Sequence, residues 1–177
     1  VLNAALETTQ VLAPEGLDAT YSFSVQSLHQ GVRELIFECD PSLRPYDVDA
    51  PGLDRWDVAP PGPKDASARL TVRLSAPLNE GTVRIRCVGP LGGAARGPGS
   101  IAWSSPGVRL LQSVNGGETL VLRVHPDLRL ADVEAGAFRL QDVAPEKGAD
   151  GRAEFQRLTF LGGGLAAPGG RPRATLH

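Results

Sequence analysis

The chain has 177 residues, 41% of them apolar, with 21 Gly, 15 Pro and a net charge of −2 from 18 basic and 20 acidic residues. That is enough apolar material for a packed core and too little Gly and Pro for disorder, while near-balanced charge with no basic stripe excludes nucleic acid as an expected partner. No apolar run approaches the roughly 20 residues of a spanning helix, and no charged segment leads into an apolar signal-like stretch, so membrane insertion is not expected.

Taken from the start, LNAALETTQVL (2–12) reads as a strand, either an added edge strand or the tail of a preceding module. YSFSVQS (21–27) and RELIFEC (33–39) alternate polar and apolar residues around Gln30-Gly31, which predicts a hairpin. A Pro-x-Leu-Arg segment, a short Asp-Val strand and a strand ending Asp-Val-Ala-Pro follow. LTVRLSA (70–76) and TVRIRCV (82–88) come next, joined by a turn at Asn79-Glu80-Gly81. GPLGGAARGPGS (89–100) reads as linker.

The second half repeats this order. At an offset of 85, PSLRPYDVDAPGLDRWDVAP (41–60) aligns with PDLRLADVEAGAFRLQDVAP (126–145) at ten of twenty positions, and RLTV (69–72) meets RLTF (157–160) after a three-residue shift. VRLLQSV (108–114) and ETLVLRV (118–124) flank Asn115-Gly116-Gly117, which predicts a second hairpin. The final segment, 162–177, enters its last strand only as the sequence stops.

With no helical period anywhere, the expectation is an all-β chain of two tandem antiparallel β-sandwich modules. The first is placed at 1–99 with its extra N-terminal strand and the second at 100–177. The Val-Leu-Asn start and the absence of Met read as a piece of a longer polypeptide.

Chemistry-bearing residues are few. Cys39 and Cys87 both point toward the first module's core and read either as a disulfide or as two free core thiols. His29, His125 and His177 are the only histidines, and no Gly-x-Ser-x-Gly, HExxH, CxxC or phosphate-loop spacing occurs, so neither an enzyme nor a resident cofactor is expected.

Asp47 and Asp49, with Asp132 and Glu134 at matching offsets, are candidate calcium ligands, although no Asp-x-Asp-x-Asp-Gly loop is present and a solvated strand face has the same alternation. Tyr46 and Trp56 are candidates for a glycan platform, Trp56 falling on Gln141 in the second copy. Trp103 reads as a packing wedge between modules. Arg44 with Asp57, and Arg129 with Asp142, form a repeat-matched polar pair that would tie the Pro-x-Leu-Arg segment to the following strand.

The strand order and the set Cys39, Trp56 and Cys87 resemble the immunoglobulin-like or fibronectin-type modules found in series in large bacterial surface and envelope proteins. The Cys-to-Trp interval is longer than in immunoglobulin domains, the second copy lacks all three residues, and Ile85 stands where a tyrosine corner would be. The resemblance implies a structural or interaction role in an extracytoplasmic protein, with neighbouring modules or another protein as partners, and carries over no functional residue. The alternative is a ligand-binding module, for glycan or calcium, around Tyr46, Trp56 and the acidic stretch.

Overall fold

A computed structural model describes residues 1–92, 95–162 and 170–177, and every element among them is a strand. In chain order these are β1 (Leu2–Ala13), β2 (Gly16–Ser27), β3 (Val32–Cys39), β4 (Arg44–Asp49), β5 (Leu53–Ala59), β6 (Ala68–Leu78), β7 (Glu80–Gly89) and β8 (Ala95–Gly97). They continue as β9 (Ser100–Ser104), β10 (Val108–Leu110), β11 (Ser113–Val124), β12 (Leu130–Glu134), β13 (Phe138–Lys147), β14 (Glu154–Gly162) and β15 (Arg173–Leu176). The all-β expectation holds. No helix among the described residues is long and apolar enough to cross a membrane.

Three sheets form. The large one has seven strands in the order β13-β14-β11-β1-β2-β7-β4, and the others have four each, β10-β3-β6-β5 and β12-β15-β9-β8. Alternation explains why β1 and β2 are strands: Leu17, Ala19, Tyr21, Phe23 and Val25 are buried every second residue, and so are Leu2, Ala4, Thr8, Gln10 and Leu12. Cross-strand register then places these side chains on one face. Thr8 lies opposite both Tyr21 and Leu120, Leu12 opposite both Leu17 and Val124, and Leu120 opposite Phe160.

The β3 sheet packs on that face, and at the seam where the chain passes from the β9 sheet to the β3 sheet residues 105–106 lie over β1. Phe23 of the large sheet touches Phe37 of β3, with ring centroids 5.0 Å apart. The chain itself crosses the seam, leaving the β9 sheet after Ser104 and joining the β3 sheet at Val108.

Several sequence expectations change here. Neither predicted hairpin forms. β2 pairs with β1 and β7 while β3 pairs with β6 and β10, so residues 28–31 carry the chain between sheets. Two strands that each have one apolar face bury more by facing each other across the roughly 10 Å core than by lying side by side.

Asn115-Gly116-Gly117 lies inside β11, where the register against β1 shifts between Ala4 and Leu6. A Cβ on Gly116 would sit 2.8 Å from the Ala4 carbonyl oxygen, and Gly117 has φ +86°. These glycines serve a bulge and a close backbone approach rather than a turn. β1 is also not an edge strand: it lies between β2 and β11, antiparallel to one and parallel to the other.

The large sheet draws strands from both sides of the expected boundary at residue 99, and Leu91 of the expected linker is buried. Residues 93 and 94 of that linker, and 163–169 of the Gly/Ala/Pro-rich final segment, lie outside the described residues.

One turn glycine is constrained on two counts. Gly136 has φ +63°, and a Cβ there would lie 2.5 Å from the Gly170 carbonyl oxygen. Gly136→Ala is expected to lower stability by roughly 2–3 kcal/mol in urea unfolding, because strain and a backbone clash add.

Candidate functional site

The inward row of β1 is apolar except at Thr8 and Gln10, which are 1% and 0% exposed. Buried polar groups need partners, and here the partners come from the far half of the chain. Gln10 Nε2 donates to the Pro106 carbonyl at 2.7 Å and to the Tyr21 hydroxyl at 3.2 Å. The Tyr21 hydroxyl donates to the same carbonyl at 2.7 Å, and Ser105 Oγ donates to Gln10 Oε1 at 2.9 Å. Burial holds the Tyr21 hydroxyl far above its ordinary pKa.

Beside this cluster Arg171 grips Glu118 with two parallel bonds of 2.9 and 3.0 Å, and its Nε donates to the Ser105 carbonyl at 3.0 Å. Thr8 Oγ1 donates to Glu118 Oε1 at 2.8 Å, and the guanidinium lies 5.5 Å from the centre of the Phe138 ring. The network fastens the crossing segment 105–106 onto the large sheet.

A cavity of about 420 Å³ opens along the seam next to this network. Leu6 and Phe23 of the large sheet line it, as do Cys39, Val108 and Leu110 of the β3 sheet and the Arg171–Glu118 pair. Cys39 and Cys87 are free thiols, both buried. Burial pushes each up to about 12, assisted at Cys39 by Asp40 and at Cys87 by Cys39 and then Asp18. Such thiols are protonated at neutral pH and are not activated nucleophiles.

The residues singled out from sequence are dispersed. Tyr46 is exposed on β4, its hydroxyl 3.4 Å from Asp18, whereas Trp56 packs against the core from β5 in another sheet, so the two share no platform. Trp56 lies opposite Val72, whereas Gln141 falls in the register shift between Leu140 and Asp142 of β13. Trp103 is buried within β9, opposite Ala174.

The acidic candidates face arginines across strands. Asp47 is opposite Arg86, Asp49 is opposite Arg84, and Glu134 is opposite Arg173 with an ion pair at 2.9 Å, while Asp132 is exposed in a left-handed conformation, φ +52°. Among the described residues no three His, Cys, Asp or Glu side chains are grouped to hold a metal.

The matched polar pair does not form. Arg44 and Asp57 belong to strands in different sheets, as do the Arg129 segment and Asp142, and Asp142 pairs instead with Arg157 at 3.4 Å. Arg129 exchanges backbone hydrogen bonds with His177. His125 stacks edge-on against Phe155, with centroids 5.5 Å apart.

Thr8, Gln10, Ser105, Glu118 and Arg171 were not among the sequence candidates. The available signal was the polar break in the apolar row of residues 2–12. No protein-family model matches the chain, and no curated protein matches it.

Proposed function

We propose that the chain is a non-enzymatic structural segment of a larger bacterial extracytoplasmic protein, in which two tandem copies of a six-strand sandwich unit are locked into one rigid block. The observation that carries this reading is the junction, where β1 lies in the middle of a sheet built from both halves and a buried polar network pins the crossing segment onto it. A flexible linker would leave two such modules free to reorient, whereas a shared sheet fixes their spacing.

Support for two copies comes from the pairings. β2·β7, β7·β4, β3·β6 and β6·β5 recur as β9·β15, β15·β12, β11·β14 and β14·β13. The registers agree residue by residue: Asp57, Val58 and Ala59 oppose Thr71, Leu70 and Arg69, and Asp142, Val143 and Ala144 oppose Thr159, Leu158 and Arg157. β8, pairing with β9, stands where β1 pairs with β2.

Calorimetry with millimolar calcium, with chelator and with an oligosaccharide panel tests the reading. One transition is expected, with equal calorimetric and van't Hoff enthalpies and a Tm indifferent to every addition. Two separate transitions would break the block, and a shift of several degrees with calcium or a sugar would replace the structural role with ligand binding.

A further inference from the structure

The inward row of β1 has one gap in its cover. Leu2, Ala4, Thr8, Gln10 and Leu12 are buried, whereas Leu6 in the middle of the row is only half-buried and lines the seam cavity of about 420 Å³. Across the large sheet Leu6 stands between Phe23 of β2 and Glu118 of β11, and both of these line the cavity too, so an aromatic ring, an aliphatic chain and a carboxylate lie along it in one row. Apolar surface left open on a core-facing row favours an apolar occupant. Pro41 and Ala66 line the same space and are exposed, so it opens to solvent. A cavity of this size, mostly apolar with a few convergent polar groups, has the make-up of a small-molecule site.

The charges along it do not balance. Three acidic side chains, Glu38, Asp40 and Glu118, meet two basic ones, Arg109 and Arg171. Arg109 pairs with Glu38 at 2.6 Å, and Arg171 pairs with Glu118 at 2.9 and 3.0 Å. Asp40 is left over. Its Oδ1 accepts from the Ser42 amide at 2.9 Å and the Ser42 hydroxyl at 2.7 Å, while among the described residues its Oδ2 accepts no hydrogen bond and no cationic side chain pairs with it. A carboxylate ligand therefore finds both guanidiniums already engaged, and one free carboxylate is too few for a calcium ion. A single positive charge on an apolar body is the complement.

We propose that the seam cavity binds a small arylalkylamine in its protonated form, with the ring against Phe23 and Leu6 and the ammonium donating to the free oxygen of Asp40. Ring contact with Phe23 adds edge-on or offset-stacked attraction to the burial of apolar surface, and the bond to Asp40 is charge-assisted. Among ligands of one shape, charge at the head then decides the preference. Calcium and sugars lack this combination, so the site is compatible with a Tm indifferent to both.

The test is an NMR titration of the whole chain at neutral pH and low salt with 2-phenylethylamine, 2-phenylethanol and 3-phenylpropanoate. The amine is expected to give saturable shifts at Leu6, Phe23 and Asp40 with a Kd of about a millimolar or tighter, about tenfold tighter than the alcohol, and the carboxylate to bind weakest. Asp40→Asn, which keeps an oxygen for Ser42, is expected to bring the amine to the level of the alcohol and leave the alcohol unchanged. Leu6→Trp fills the cavity and is expected to lose all three ligands; Ala66→Trp, at an exposed lining position, repeats this arm should Leu6→Trp not fold, and the Tm of each variant confirms folding. No saturable shift with the amine, an alcohol or carboxylate that binds as tightly, an amine preference that survives Asp40→Asn, or folded filled variants that bind like wild type would each overturn the proposal.

Discussion

Glu118→Ala is expected to lower the stability of the chain by about 3–5 kcal/mol, with Tm falling by roughly 10 °C. The Glu118 and Arg171 side chains are only 12% and 18% exposed, so solvent cannot take over the role of the missing partner as it would at a surface pair. The change leaves a guanidinium against Phe138 without its counter-charge and removes the acceptor of the Thr8 hydroxyl, which is itself buried. Replacing both ends together, Glu118→Leu with Arg171→Met, is expected to cost less than either single change, because no uncompensated charge remains. Urea unfolding of the three variants measures this. A loss below about 1 kcal/mol for Glu118→Ala would mean that water reaches the pair.

What could be read from the sequence divides by range. Strand existence rests on alternation, and most of the expected segments are strands at the expected positions. Pairing was not legible, because alternation marks which side of a strand is apolar without saying whether that side faces its sequence neighbour or lies beside it. Both predicted hairpins failed for that reason, and the Asn-Gly-Gly signal, strong for a turn, was used for a bulge. The register shift at Gln141 is likewise one that no ungapped alignment can register. The buried network escaped because its members are 96 to 110 residues apart in the contacts that matter most. Gln10 and Thr8 were nonetheless visible as polar residues in an inward row, and a polar residue in such a row calls for a buried partner from elsewhere in the chain.

The position of β1 offers the sharpest contrast between the two readings. Thr9 lies opposite Thr20 on one side and Val121 on the other, with its side chain on the exposed face of the large sheet, so a substitution there disturbs little packing. Proline removes a ladder hydrogen bond and its ring intrudes on the neighbouring strand, which an edge strand tolerates and a central strand does not. The large sheet already follows this rule, its prolines Pro45 in β4 and Pro145 in β13 standing at its two edges. Thr9→Pro is therefore expected to lower stability by about 3 kcal/mol or more, against less than about 1 kcal/mol for Thr9→Ala, which changes only strand preference. Because β1 joins strands from both halves, the loss is expected as a downward shift of the whole unfolding transition. If Thr9→Pro matched Thr9→Ala, β1 would be a peripheral strand, and the two halves would have no common sheet to hold them at a fixed spacing.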